Sequence, residues 1–188
     1  MTRRFVAIPV AAEVREALEA ALIPVRDGWE GLRTTRAADW HLTLAFLGEL
    51  ADDALERLVE VVATAVAAHP LPDELALAGA GRFGRRVLWA GVDEVPPGRL
   101  EALGGAVQHG CAAAELPVQQ RAVHPHLTLA RARRAAPVRA EHQEQADRAV
   151  AALLDRGAGR WRPEQVEVWA SHLDGGPARY EVEAAVPG

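Results

Sequence analysis

His41 and Thr43 stand two residues apart, and so do His126 and Thr128. Both pairs sit in identical copies of the pentapeptide HLTLA, at 41–45 and 126–130. The chain has seven His and six Thr, so a repeat using two of each says more than its Ala and Leu do. In a strand, residues i and i+2 face the same way. Each copy therefore puts its His and Thr on one face and its two Leu on the other. The leucines can enter a core, leaving an imidazole and a hydroxyl beside a groove. One such strand alone would be an ordinary polar edge. Two copies facing each other bring two imidazoles to opposite sides of one site. With ordinary pKa values near ~6.5, they can supply one base and one acid at neutral pH. That pairing suits in-line displacement at phosphorus, where the nucleophile enters one side and the leaving oxygen departs from the other. The hydroxyls of Thr43 and Thr128 then have non-bridging phosphate oxygens to bind.

The elements that must position these residues can be read from spacing. RFVAIPV (4–10) reads as a strand, and Val14, Leu18, Ala21, Leu22 and Val25 follow at helical spacing. A loop with Gly28, Gly31 and Thr34 leads to WHLTLAFLGEL (40–50), a strand by its length and flanks. A helix then carries the stripe Leu55, Leu58, Val59, Val62 and Val66, with Asp52 and Asp53 placed to cap its start. DELALAGAGRFG and RVLWAGVDE read as two strands joined at a Gly/Arg turn. The second half repeats this grammar. A helix with Pro at its first turn (96–116) precedes the strand HPHLTLARA, and a polar-faced helix (138–156) precedes a final hairpin around DGGP. Short loops and the last hairpin favour antiparallel pairing. The expected fold is α+β and bilobal: two pseudo-symmetric lobes of antiparallel sheet plus helices about a central groove, one copy of the repeat in each, in a single domain over 1–188.

RRFVAIPV, HLTLAFLGE, RVLWAGV, HPHLTLAR and SHLDGGPARY together resemble the 2H phosphoesterase superfamily, and within it the RNA 2′,3′-cyclic phosphodiesterase (2′-5′ RNA ligase) branch. The resemblance covers nearly the whole length. It implies a metal-free, cofactor-free hydrolase that opens a 2′,3′-cyclic phosphate at an RNA end to a 2′-phosphomonoester, with 2′-5′ ligation as the reverse activity. By the same resemblance His41 is the proton donor to the departing 3′ oxygen and His126 the proton acceptor that activates water. Thr43, Thr128 and Arg131 hold the phosphate. Phe5, at the start of the first strand, can stack on a terminal base, as aromatics do for unpaired nucleotides, or belong to the core.

Composition narrows the other classes. At 188 residues with 49% hydrophobic content, the chain suits one domain. Its basic residues are all Arg, and a net charge of −5 argues against a broad basic surface for long nucleic acid, though not against a short RNA end. The single Cys111 excludes an internal disulfide and fits a reducing cytoplasm, where the protein is expected as a monomer. The opening MTRRFVAIPV imitates a twin-arginine signal, but its apolar run is short and broken by Pro9. No stretch approaches a membrane span of about 18 apolar residues.

His124 makes H-P-H with His126 and raises a zinc-site alternative, but no Asp, Glu or Cys completes a ligand set at recognisable spacing. His69, His109, His142 and His172 read as structural. Arg82, Arg85, Arg86, Arg133 and Arg134 read as solvated charge unless some line the groove mouth. Trp40, Trp89 and Trp169 read as core or groove wall. A scaffold that binds RNA ends or cyclic phosphates without turnover would not need two intact His–Thr pairs, and a phosphodiesterase for small cyclic nucleotides is the other alternative.

Overall fold

In the computed structural model, residues 1–133, 136–172 and 178–188 are described; Arg134 and the DGGP turn expected at 174–177 lie outside them. The strands are β1 (Thr2–Pro9), β2 (Leu32–Thr34), β3 (His41–Leu50), β4 (Glu74–Phe83), β5 (Val87–Val95), β6 (His126–Ala132), β7 (Arg160–Trp161), β8 (Gln165–His172) and β9 (Arg179–Pro187). The helices are α1 (Ala12–Arg26), α2 (Leu55–Ala68), α3 (Arg99–Ala113) and α4 (Ala140–Leu154). One sheet has the order β3-β1-β8-β9 and the other β2-β6-β5-β4-β7, and the paired neighbours run antiparallel. This is the bilobal α+β architecture expected from the sequence, with one HLTLA copy in each sheet.

The lobes are not the two halves of the chain. The first sheet is assembled from both chain ends, through the pairing of β1 with β8, and the second from the middle. The helices cross over as well: α2 and α3 pack with the first sheet and with each other, while α1 and α4 pack together with α4 on β4. One continuous apolar core joins the layers, from Val6 and Ile8 through Leu42, Leu44, Leu127 and Leu129 to Val166 and Val168.

Both repeat strands obey the alternation that their sequence dictates, then break it at the same place. Leu42, Leu44, Leu127 and Leu129 are buried, while His41, Thr43, His126 and Thr128 are half-buried on the opposite face. Val6 pairs with Ala45 and Ala7 with Thr43, so Leu44 has no partner residue of its own. Likewise Leu88 pairs with Ala130 and Trp89 with Thr128, skipping Leu129. Each is a β-bulge, which adds one residue and re-aims the side chains that follow. Beyond it, Phe46 and Arg131 turn out to the groove face, where strict alternation would have placed Ala45 and Ala130.

Three local expectations are corrected. The loop holding Thr34 contains β2, whose Thr34 pairs with Ala130, and β7 was not foreseen. Such two- and three-residue strands are held by their partners rather than by a pattern of their own. Asp52 and Asp53 do not cap α2; they form a 3-10 turn before it, and Asp52 accepts hydrogen bonds from Thr2 Oγ1 at 2.8 Å and Arg4 at 2.9 Å. An Arg buried beneath the turn draws the carboxylate more strongly than two backbone N–H groups would. Finally, α3 begins at Arg99, past both prolines, and the Glu94 carboxylate accepts from the Gly98 and Leu100 N–H groups at its start.

Candidate active site

Both motif histidines are fixed in the same way. His41 Nδ1 lies 2.7 Å from the Asp39 carbonyl, and His126 Nδ1 lies 2.6 Å from the His124 carbonyl, each two residues upstream. A carbonyl oxygen can only accept, so each Nδ1 must carry a proton. That leaves Nε2 as the free nitrogen of both rings: a lone pair when neutral, a donor when charged. The chain thus presents two chemically equivalent working nitrogens without using a side-chain carboxylate to orient either.

A cavity of about 410 Å³ brings together all six residues singled out in the sequence: His41 and Thr43 from β3, His126, Thr128 and Arg131 from β6, and Phe5 from β1. Arg131 is exposed and has no carboxylate partner among the described residues. Arg4, which also lines the cavity, is 3% exposed and committed to Glu183 at 2.6 Å and Asp52 at 2.9 Å, so its charge is spent inside the protein. Arg131 is therefore the motif-linked cation open to an anion. Phe5 is only 4% exposed, its ring 4.7 Å from His41 and 5.8 Å from Trp169, so a nucleobase would meet little of its face.

The rings around the two imidazoles account for their electrostatics. His41 lies within 4.7 Å of Phe5, 5.3 Å of Trp169 and 5.6 Å of Tyr180. Burial among them pushes its pKa down to about 4, the Asp39 carbonyl opposes that shift, and the charges of His126 and Arg131 add to it. His126 is also pushed down, first by burial against Phe83 and Trp89 and then by His124 and Arg131, with the His124 carbonyl opposing. At neutral pH the groove holds two neutral imidazoles beside the exposed guanidiniums of Arg3 and Arg131. It favours an incoming anion, whose charge would favour protonating one of the rings.

The sequence reading missed several groove residues. Phe46 and Tyr180 line the cavity, and Phe83 packs at 4.8 Å on His126. Phe46 follows the bulge in β3, which has no local sequence signal, and Tyr180 comes from a strand remote in sequence. Trp40 and Trp169 are buried in the core at 1% and 6% exposure, and Trp89 is half-buried with its ring packed near Phe83, His124 and His126. Cys111 is buried, with its thiol pushed up to about 11 by burial, which fits a structural role. Among the remaining histidines, His142 is 4% exposed and accepts the Arg139 N–H, while His109 Nδ1 lies 2.7 Å from the Gly105 carbonyl. Arg82 donates to Gln143. Among the described residues no three His, Cys, Asp or Glu are gathered to hold a metal ion, and His124 and His126 have no third ligand beside them. No helix among them is long and apolar enough to cross a membrane.

A family profile described as the 2′-5′ RNA ligase superfamily matches residues 16–175. The chain belongs to that superfamily. Its placement agrees with the 2H phosphoesterase resemblance of its motifs. An RNA 2′,3′-cyclic phosphodiesterase of Geobacillus stearothermophilus is 34% identical over 137 residues, which is 68% of this chain and 41% of that protein. One of Escherichia coli is 33% identical over 133 residues, or 69% of this chain and 71% of that protein. The crystal structure of E. coli LigT complexed with 3′-AMP superposes with a TM-score of 0.71 at 26% identity, covering 99% of this chain and 97% of the other. The chain thus spans less than half the length of the Geobacillus relative and nearly all of LigT.

Proposed function

We propose that this member of the 2′-5′ RNA ligase superfamily opens 2′,3′-cyclic phosphates at RNA ends to 2′-phosphomonoesters. The observation that carries the reading is the pair of imidazoles with identically fixed Nδ1 atoms, sharing one cavity with two threonines and an open arginine. The names of its relatives and the 3′-AMP held by LigT supply the substrate class.

In the proposed reaction, His126 Nε2 takes a proton from water as its oxygen attacks phosphorus. The bond from phosphorus to O3′ breaks, and His41 Nε2 gives O3′ its proton. Thr43, Thr128 and Arg131 bind the oxygens that gain charge in the trigonal-bipyramidal transition state. Both proton transfers are accounted for by protein groups, so no step calls for a metal. Burial lowers the His41 pKa to about 4, so the ring acquires its proton together with the anionic substrate. The assignment of acid and base follows the family, because the two rings are fixed alike. The reading needs one chain and an RNA end, with no second protein.

The test is phosphorus NMR of an RNA oligonucleotide ending in a 2′,3′-cyclic phosphate, incubated with the protein and excess chelator. Conversion to the 2′-phosphate is expected, and it should collapse in His41→Ala and in His126→Ala. A 3′-phosphate product, turnover only when metal is restored, or full activity in either variant would contradict the reading.

A further inference from the structure

The proposed reaction uses only one of the two exposed guanidiniums in the main cavity. Arg131 follows the second motif and is assigned to the reacting phosphate. Arg3, on β1, lines the same cavity and has no part in the chemistry. Among the described residues Arg3 has no ion-pair partner, although Glu49 stands opposite it where β1 pairs with β3. The one acidic residue among those lining the cavity, Asp39, is held by Arg36 at 2.7 Å. Arg3 therefore brings to the cavity a charge that the described residues do not neutralise.

Two hydroxyls stand in line with it. Arg3 pairs with Ser171 of β8, and Ser171 pairs with Tyr180 of β9, so the three occupy adjacent positions across three strands. Residues directly opposed on one face of an antiparallel pair have Cβ atoms about 4.5–5.5 Å apart. All three line the cavity, and among the described residues neither hydroxyl makes a hydrogen bond. A guanidinium fork beside two hydroxyl donors is a donor set suited to phosphate oxygens. The row also adjoins the reacting centre, since the Tyr180 ring lies 5.6 Å from that of His41. Arg3 stands four residues along β1 from Ala7, the partner of Thr43, which is roughly 13 Å of strand. A side chain as long as arginine's can lean back over part of that distance, leaving a gap on the scale of one nucleotide. His41 gives its proton to O3′, so the terminal ribose lies on the side walled by β1, β8 and β9. The phosphate on its 5′ carbon leaves along the same wall. The neighbouring chamber beside His126 is lined by none of Arg3, Ser171 and Tyr180.

We propose that Arg3, Ser171 and Tyr180 form a second anion site, which binds the phosphodiester on the 5′ side of the terminal nucleotide and selects RNA ends over mononucleoside 2′,3′-cyclic phosphates. The proposal rests on the hydrolytic reading of the main cavity. Arg131 and the motif threonines hold the reacting phosphate, and Arg3 holds its neighbour. Two separated cations then recognise a strand by the spacing of its charges, with no contact to a base. A chain of net charge −5 can do this without a broad basic surface. A mononucleoside cyclic phosphate carries one phosphate and engages only the first of the two sites.

The test compares two diadenosine substrates ending in a 2′,3′-cyclic phosphate, alike except at the internal linkage. One has a phosphodiester there and the other an uncharged methylphosphonate. The ratio of their kcat/KM values within one protein does not depend on how much of that protein is folded. For the full chain it should favour the phosphodiester about tenfold, the scale of a charge-assisted hydrogen bond. It should fall to near unity in Arg3→Gln and part of the way in Tyr180→Phe. Arg57→Gln removes the same charge from α2, outside the cavity, and should keep the ratio. A ratio near unity in the unaltered protein, or an equal fall in Arg3→Gln and Arg57→Gln, would overturn the proposal. A third substrate, adenosine 2′,3′-cyclic phosphate bearing a 5′-phosphate, separates the two sources of the anion. If it gains over the 5′-hydroxyl form while the phosphodiester gains nothing, the row serves free nucleotides and selection of RNA ends is wrong. Failure of the hydrolytic reading shows separately, as cyclic phosphate left intact in every substrate. Calorimetry with the two dinucleotides then decides the site by itself. About a tenfold difference in Kd, lost in Arg3→Gln, is expected, and equal affinities would refute the site.

Discussion

The two HLTLA strands are the same peptide placed in two different surroundings. In the first sheet, His41 is enclosed by Phe5, Trp169 and Tyr180, and the residue past the bulge is Phe46. In the second, His126 meets Phe83, Trp89 and the exposed His124, and the residue past the bulge is Arg131. Backbone fixation of the imidazoles is identical, so the peptide sets the geometry of the working nitrogen. The neighbours set what that nitrogen does. One ring is buried among aromatic rings that disfavour its charged form; the other shares its strand with the cation Arg131.

The largest effect expected from breaking this comparison is loss of either imidazole. His126→Ala and His41→Ala should each lower kcat by roughly 10²–10⁴-fold, and the double variant should lose little more, because the two act as a unit. Multiplicative losses in initial-rate assays would mean that the two rings work in separate steps.

Next comes the residue beyond each bulge. Arg131→Ala removes a charge-assisted contact to phosphate and should lower kcat/KM by about 10–100-fold. Inhibition by inorganic phosphate should weaken in parallel. In Phe46→Ala that inhibition should persist, since Phe46 carries no donor. Equal weakening in both variants would erase the distinction between the two sheets.

Acidity sharpens the contrast further. Both imidazole pKa values are lowered from 6.5 in the free site, so the form with one ring charged and one neutral is most populated below that pH. The kcat/KM profile should therefore peak on the acid side of 6.5 and fall about tenfold per pH unit above its upper limb. The optimum of kcat, which reports the occupied site, should lie higher, because bound phosphate favours the charged ring. Coincident optima would contradict this coupling. The smallest effect is that of His124→Gln. Removing the neighbouring imidazole takes away one cause of the lowered His126 pKa, so one limb of the profile should move upward.

Much of the site was legible because strand alternation is enforced by burial. Leu42, Leu44, Leu127 and Leu129 had to enter the core, and that alone turned His41, Thr43, His126 and Thr128 to the groove. Alternation failed at the bulges, which arise from pairing to neighbouring strands and leave no mark in the peptide itself. Arg131 was found through family resemblance, and Phe46 was not found at all. The interleaved lobes and the two shortest strands, β2 and β7, are likewise products of tertiary pairing. Asp52 shows the same limit at a single residue, since its preference for capping yields to Arg4, 48 positions away.

The central claim is that two identical strings supply one acid and one base, and a substrate with a better leaving group tests it most directly. Replacing the bridging 3′ oxygen of the cyclic phosphate with sulfur makes departure independent of an acid, while attack by water still needs a base. The account predicts that His41→Ala recovers most of its lost rate on the 3′-thio substrate and that His126→Ala recovers none. Equal recovery in both variants, or recovery in His126→Ala alone, would contradict it.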